Sequence, residues 1–144
     1  YDVRRNKPYS IYDKLDFEIP IGTASVGTLG DCYDRYFVRV EEIRESVKIL
    51  RQCLQQMPEG EIQAKVKNAI KPPVGHKYIR TETPRGDTGY FIYSDGKTSP
   101  SRLKIRTGSF TGMSIIPELA RNIFIADLVA VIGSLDIVAP ELDR

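Results

Sequence analysis

The sequence predicts an α+β fold that is mainly helical, with one long amphipathic helix, a small antiparallel sheet and a buried C-terminal helix. Three patterns predict it. Apolar residues recur every three or four positions over 31–57, short apolar runs flank an Asp-Gly turn over 76–107, and residues 112–134 are largely apolar. The 144 residues are 41% hydrophobic and 28% charged, which excludes a disordered tail, a collagen-like fibre and a disulfide scaffold. We expect residues 1–144 to form a single soluble fragment of a longer protein.

Residues 1–30 are predicted to be extended or looped. Prolines and glycines interrupt this segment, and only the strictly alternating stretch Leu15–Ile19 favours a short strand. Residues 22–30 read GTASVGTLG, and closely spaced glycines can turn their amides toward a phosphate. Because no Lys-Ser/Thr follows the last glycine and no apolar strand precedes the first, the pattern favours a flexible loop over a nucleotide site.

Residues 31–57 give the strongest helix signal. Asp31 is placed to cap the helix by accepting a hydrogen bond from the first turn, and Pro58 and Gly60 end it. Its remaining face carries mixed charges, a pattern typical of a solvated surface, although a buried ion pair is possible at Asp34 and Arg35. The apolar stripe, which we expect to be buried, consists of Tyr33, Phe37, Val40, Ile43, Val47, Leu50 and Leu54.

A linker over 61–75 and antiparallel strands over 76–107 are predicted next. The strand segments are Lys77–Thr83, Gly89–Tyr93 and Ser101–Arg106, with a turn at Ser94–Gly96 between the last two. Residues 65–108 hold ten basic and three acidic side chains, yet the whole chain carries only +2. Because aromatic residues on paired strands more often serve in packing, nucleic acid is not the expected partner. An acidic subunit or a membrane surface remains as an alternative for this basic segment.

The C-terminal part is predicted to be helical over 112–134 and to end in a tail over 135–144. The apolar segment is interrupted near Pro117 and ends around Gly133, and its longest uncharged stretch is too short to span a bilayer. A helix that is apolar nearly all round must be enclosed on several sides. A chain of this length cannot cover both this helix and the 31–57 stripe, so we expect further protein surface to pack on them.

No familiar catalytic constellation is present in the sequence. His76 is the single histidine and is expected at the surface, while Ser109 lacks a base at a recognisable spacing. Two cysteines, Cys32 and Cys53, cannot form a cysteine-rich metal site and suggest a reducing compartment. Asp136 follows the apolar helix, where a carboxylate is costly unless it is paired or faces a polar cavity. A simple surface tail and a functional tail both remain open on this argument.

Several motifs resemble one family, in family order and along the whole chain. They resemble the C-terminal portion of the 49-kDa subunit of respiratory complex I, a family descended from the large subunit of nickel–iron hydrogenases. The motifs GDCYDRY and GSLDIV are the most specific. The matching positions are Asp2–Arg5, Pro8–Tyr9, residues 30–36 (GDCYDRY), Arg39, Glu42, Ser46, residues 57–61 (MPEGE), 82–86 (ETPRG), 94–96 (SDG) and 104–110, then Ala126–Asp127, residues 132–138 (IGSLDIV) and Asp143–Arg144.

The resemblance implies a role for the C-terminal tail. In the hydrogenases the corresponding tail carries metal-binding cysteines, whose positions here are Val138 and Glu141. Since neither can supply a thiolate, no metal is expected in this chain. In complex I the vacated site forms the head-group end of the quinone cavity. The resemblance therefore implies that this cavity is lined or supported by Asp136, Val138, Glu141, Arg144 and Arg85, the last in a Pro-Arg-Gly loop.

The resemblance also implies the reaction and the partners. The chain is expected to be part of the quinone-reducing subunit of an NADH–quinone oxidoreductase, in which electron transfer is coupled to proton translocation. Quinone is the expected substrate, and no cofactor is expected to be bound in the chain itself. Expected partners are an iron–sulfur subunit carrying the terminal cluster, other peripheral-arm subunits and membrane-arm subunits, on the cytoplasmic side of the membrane. Some residues, such as 139–142 (APEL), depart from the usual family pattern and leave an alternative open. In that alternative the chain has a structural role in a metal-free membrane-bound hydrogenase or in a relative that uses F420 or ferredoxin.

Overall fold

A computed structural model of the chain describes residues 1–143. It confirms the α+β fold: short helices and loops surround one long helix and a three-stranded sheet. The helices and strands, in chain order, are α1 (Val3–Asn6), α2 (Cys32–Gln55), β1 (Gly75–Thr83), β2 (Gly86–Ser94), β3 (Arg102–Arg106), α3 (Gly108–Met113), α4 (Ile116–Leu119), α5 (Ile125–Ser134) and α6 (Ala139–Leu142), with a 3₁₀ turn at Tyr12–Lys14.

Helix α2 matches the predicted helix over 31–57 to within two residues at its C-terminal end. The Asp31 side chain accepts a hydrogen bond from the Asp34 amide at 2.8 Å, as expected for the cap. The apolar stripe, however, is not buried within this chain, since Ile43 and Leu54 are 64% and 69% exposed. The buried apolar residue of α2 is Ile49, on the other side of the helix from the stripe. We call these two sides the outer stripe and the inner face of α2.

The stretch Leu15–Ile19 packs on the inner face of α2. Leu15 and Phe17 are buried with Ile49 in the hydrophobic core. The prediction of a strand here is wrong, because the backbone pairs with helix side chains and not with another strand. Gln52 donates to the Asp16 carbonyl at 2.6 Å and accepts from the Asp16 amide at 2.9 Å. The alternation of apolar and polar residues therefore predicts which side chains are buried, but it does not predict which groups form hydrogen bonds with the backbone.

The sheet has the order β1-β2-β3 and is antiparallel throughout. A tight turn at Pro84–Arg85 joins β1 to β2, with Thr83 opposite Gly86. The connection from β2 to β3 begins at Asp95–Gly96, and Gly96 adopts a φ of +87°, a backbone conformation that favours glycine. The predicted strand region is thus confirmed, with β2 beginning three residues earlier than expected. Between α2 and β1, the predicted linker over 61–75 contains no helix or strand before Gly75.

The predicted helical region over 112–134 corresponds to α3, α4 and α5. Helix α5 is present, but the prediction that it is buried does not hold within this chain, because Ile125 is 87% and Val129 is 72% exposed. One side of the helix packs against α2: Leu128, Val131 and Ile132 are partly buried, and Arg35 Nε donates to Ser134 Oγ at 3.0 Å. These exposed apolar surfaces agree with the expectation that a chain of this length cannot cover both helices. No helix within residues 1–143 is long and apolar enough to cross a bilayer.

Candidate functional site

A cavity of about 890 Å³ lies where five parts of the chain meet. Its walls come from α1, the glycine-rich loop before α2, the inner face of α2, the β1–β2 turn and the segment after α5. Apolar residues such as Val38 and Leu135 contribute to the lining together with an equal number of basic and acidic side chains. The charged residues of the lining are Arg4, Arg35, Arg39, Arg85, Asp34, Glu42, Glu82 and Asp136.

The β1–β2 turn places Arg85 on the cavity wall. Gly86 takes a φ of +102°, which lets the two strands join through only two residues. The start of α3 packs directly against this turn. A Cβ atom at Gly108 would overlap the Arg85 carbonyl oxygen, so a glycine is required for the close approach. The backbone of Arg85 is therefore fixed by the strand register and by α3.

The Arg85 guanidinium joins two carboxylates of the C-terminal segment. Arg85 Nε donates to the Asp136 carbonyl oxygen at 3.0 Å and lies 3.6 Å from Asp136 Oδ2. Its Nη1 lies 3.5 Å from Glu141 Oε1. Arg39 approaches the same Asp136 carboxylate from α2, with Nε 3.9 Å from Oδ2. We call these four residues the Arg85 corner.

The tail after α5 is anchored and does not behave as a simple surface tail. Ser109, which is 2% exposed, donates its hydroxyl to Glu141 Oε2 at 2.5 Å. Thr107 Oγ1 donates to the Glu141 carbonyl at 2.8 Å, and the Val138 amide donates to Ser109 Oγ at 3.3 Å. These contacts hold the tail against the start of α3, directly behind Arg85.

The structure brings together four of the five site residues that the family resemblance suggests. Arg85 and Asp136 line the cavity. Val138 and Glu141 lie behind Arg85 and are absent from the described cavity lining. Arg144 lies outside the described residues.

The remaining sequence candidates are not part of this corner. His76 is exposed and stacks on Phe91, with ring centroids 5.9 Å apart. Cys32 and Cys53 are free thiols. Over residues 1–143, no three histidine, cysteine or acidic side chains are grouped as they would be around a metal ion.

Sequence reasoning missed the contribution of the inner face of α2. Arg39, Glu42 and Ser46 all line the cavity. Their spacing of three and four residues places them on one side of a helix, and this was the signal available in the sequence. Mixed charges on a helix favour a solvated face, which is why these residues are not among the predicted site residues. Burial raises the pKa of Glu42 and of Glu82 above the usual range, so these carboxyls lie in a less polar environment than water.

The glycine-rich loop before α2 surrounds an anion that belongs to the protein itself. The Asp34 carboxylate accepts hydrogen bonds from the amides of Thr23, Ala24 and Gly30 at 2.9–3.1 Å. These backbone hydrogen bonds, led by that from Gly30, keep the pKa of Asp34 below its usual range. The possible ion pair with Arg35 does not form, because Arg35 donates to Ser134 and to the Gly30 carbonyl. The loop is therefore held in place and forms one rim of the cavity.

Known proteins that are similar to this chain match it along its whole length and point to one family. The family described as respiratory-chain NADH dehydrogenase, 49 kDa subunit, matches residues 1–73 and 64–144. A D-type subunit of the NADH-quinone oxidoreductase of Anaeromyxobacter dehalogenans is 51% identical over 144 residues, which are 100% of this chain and 38% of that protein. The corresponding NADH-quinone oxidoreductase protein of Bacillus anthracis is 48% identical over 99% of this chain and 38% of its own length. The chain thus spans somewhat more than a third of these relatives, and it belongs to the family of the respiratory-chain NADH dehydrogenase 49 kDa subunit.

Proposed function

We propose that the chain forms part of the quinone-reducing subunit of an NADH–quinone oxidoreductase of the complex I type, and that its cavity contributes to the quinone head-group site. The observation that carries the proposal is the Arg85 corner, which sets an arginine and a carboxylate on the wall of a partly apolar cavity. A cavity of this kind, with apolar walls and a few polar anchors, suits a small aromatic ligand with polar oxygens. The names of the relatives include quinone as a reactant, which supports the same assignment.

Arg85 supplies the chemistry expected of such a site. Reduction places negative charge on the quinone oxygens, and a fixed guanidinium stabilises that charge without having to reorganise. Asp136 and Glu141 hold Arg85 from one side, and Ser109 orients Glu141. In this proposal Asp136 contacts the head group, while Val138, Glu141 and Arg144 support the wall. No cofactor is assigned to the chain itself.

The proposal also includes the environment of the cavity. Electrons reach the quinone from an iron–sulfur cluster carried by a neighbouring subunit, and their transfer is coupled to proton translocation. Other peripheral-arm and membrane-arm subunits complete the enzyme, on the cytoplasmic side of the membrane. The uncovered outer stripe of α2 and the exposed apolar side chains of α5 support extensive packing against additional protein.

The proposal is tested in membranes that carry the full-length subunit within its complex. We expect Arg85→Ala to lower inhibitor-sensitive quinone reduction at least tenfold, because removing one charge-stabilising donor costs about 10²–10³ in rate. Asp136→Ala should lower it as well, because Asp136 holds Arg85 in place and contacts the head group in this proposal. Val138→Met should shift the inhibitor response. Electron transfer from NADH to ferricyanide, which bypasses the quinone, normalises for assembled complex. Arg102→Ala, at an exposed position on β3, is the matched control. Unchanged turnover and inhibition in all three variants would show that the tail is only a scaffold.

A further inference from the structure

Glu42 differs from the other carboxylates of the cavity. Asp34 accepts three backbone hydrogen bonds, Asp136 meets Arg85 and Arg39, and Glu82 accepts from the Val3 amide at 2.8 Å. Glu42 lines the same cavity and is half-buried. Within the described part of the chain, its carboxylate accepts no hydrogen bond and forms no ion pair. It is therefore a carboxyl group that faces the cavity without being held by a structural contact.

The charged groups around Glu42 come from three elements. Arg39 lies on its own helix, Arg4 and Asp2 on the N-terminal segment, and Asp136 on the tail. Both arginines already have a carboxylate partner: Arg4 Nη2 lies 2.7 Å from Asp2 Oδ2, and Arg39 lies 3.9 Å from Asp136. Arg39 and Arg4 lower the pKa of Glu42, whereas Asp2 and Asp136 raise it. Burial then dominates, and it raises the pKa of Glu42 above that of an ordinary glutamate.

We propose that Glu42 holds a proton in this cavity and delivers it to the quinone as the quinone is reduced. The proposal rests on the proposed function of the cavity. It follows from the position of Glu42 on the same wall as Arg39, with Asp136 and Arg85 completing that wall. Arg85 stabilises negative charge on the quinone, whereas Glu42 removes that charge by protonation. The two residues therefore perform different parts of one reaction.

The reaction balances when the electrons and protons are followed separately. Two electrons from the neighbouring iron–sulfur cluster reduce one quinone, and two protons are needed to form the quinol. At one quinone oxygen, a new O–H bond forms while the O–H bond of the Glu42 carboxyl breaks. The Glu42 carboxylate then takes a proton from water in the cavity. The second proton comes from water or from another part of the enzyme.

The substitution Glu42→Gln gives a clean test because it keeps the size of the side chain and breaks no hydrogen bond of the carboxylate. We measure inhibitor-sensitive quinone reduction against pH in membranes that contain the full-length complex, normalised to NADH–ferricyanide activity. Wild-type turnover should fall as pH rises through the pKa of Glu42, since only the protonated acid can donate. The variant should lose about 10²-fold or more in kcat on the acidic side, which is the lower end of the range for general acids. It should also lose this pH dependence, while KM stays within about twofold. Glu41→Gln, one residue earlier and paired with Arg44 outside the cavity, should behave as wild type.

A Glu42→Gln complex with wild-type turnover and the wild-type pH profile overturns the proposal. If this variant assembles too poorly to measure, Glu42→Asp replaces it, because it keeps an acid but withdraws it by one methylene. An alkaline limb that is unshifted in Glu42→Asp also overturns the proposal. Normal behaviour of the Glu42 variants alone rejects only the proton role. Normal behaviour of the Arg85 and Asp136 variants as well rejects the quinone site itself.

Discussion

The two sides of α2 carry opposite chemistry, and the chain packs on the side that a sequence would place in solvent. The outer stripe is apolar and largely exposed, with Leu50 61% and Leu54 69% accessible. The inner face is rich in charge, yet it contacts the N-terminal segment and the tail, and it lines the same cavity as the β1–β2 turn. The inner face meets backbone and oppositely charged groups, together with the small core that Ile49 forms with Leu15 and Phe17. Polar contacts of this kind are more typical of a functional site than of a hydrophobic core.

The inner face should be most sensitive where its few apolar contacts are removed. Phe17 is fully buried beside Ile49, so Phe17→Ala removes a large core side chain and should cost about 3–5 kcal/mol of the free energy of unfolding. Urea titration of the full-length subunit measures this loss. Ile21→Ala, at a position in the same segment that is 77% exposed, is the control. Equal losses in the two variants would mean that the inner face has no core of its own.

The next largest effect is expected at Gly108, which supports Arg85 from behind. In Gly108→Val the new side chain would overlap the Arg85 carbonyl, and overpacking of this kind costs about 1–3 kcal/mol. The turn must shift, and quinone reduction should fall with it. In Gly112→Ala, on the same helix, the added Cβ would only meet Ile137 at 3.9 Å. If Gly108→Val keeps wild-type turnover and stability, as Gly112→Ala should, then Gly108 does not support Arg85.

A smaller loss is expected at Asp34, where the inner face holds the glycine-rich loop. Asp34→Asn weakens three hydrogen bonds to backbone amides and should lower the thermal midpoint of the full-length subunit by about 2–4 °C. Because the folded-state pKa of Asp34 is lowered, its contribution is complete above the ordinary aspartate pKa of about 3.9 and disappears as pH falls through the folded-state value. The difference between wild type and variant should therefore shrink in acid. Asp16→Asn, whose side chain is 81% exposed, is the control. A difference that grows in acid would contradict this assignment.

The smallest effect belongs to an exposed ion pair away from both faces. Arg121 and Glu118 lie 3.1 Å apart, with side chains 69% and 67% exposed. Exposed pairs contribute little because water screens them, so Arg121→Ala should change the free energy of unfolding by less than about 0.5 kcal/mol. Urea titration of the full-length subunit measures it. A loss of more than about 1 kcal/mol, the upper end for exposed pairs, would show that this region is covered in the full-length subunit.

Local patterns in the sequence were enough to predict the long helix and the sheet, but not the short helices α1 and α6, which lie in segments predicted as extended or looped and as a tail. The cap at Asp31, the apolar periodicity and the turn at Asp95–Gly96 depend on neighbouring residues, and the structure agrees with them. The strand expected at Leu15–Ile19 fails because its backbone partners, Gln52 and Glu45, lie 36 and 27 residues away along the chain. Alternation cannot distinguish a strand partner from a helix side chain. The exposure of α5 has a similar origin, since periodicity gives the apolar character of a surface but not what covers it.

The candidate site could be predicted only in part. The family motifs pointed to Arg85, Asp136, Val138 and Glu141, and the structure places these residues together. Their role as a quinone site remains a prediction. Arg39 and Glu42 were missed because a charged residue on a helix is usually solvated, and only the path of three distant segments encloses them. Burial of a charge is a property of the fold as a whole and is not visible in a local pattern.

The Arg85 corner also sets an order of events during synthesis. Arg85 and its contact at Asp136 are separated by 51 residues along the chain. At about 5–20 residues per second, the ribosome adds that interval in roughly 3–10 seconds. During this delay Arg39 and Arg85 have no access to the carboxylates that hold them in the finished structure. The nascent chain therefore lacks the Asp136 and Glu141 contacts of these two arginines, and the cavity wall is completed only after residues 136–141 have emerged.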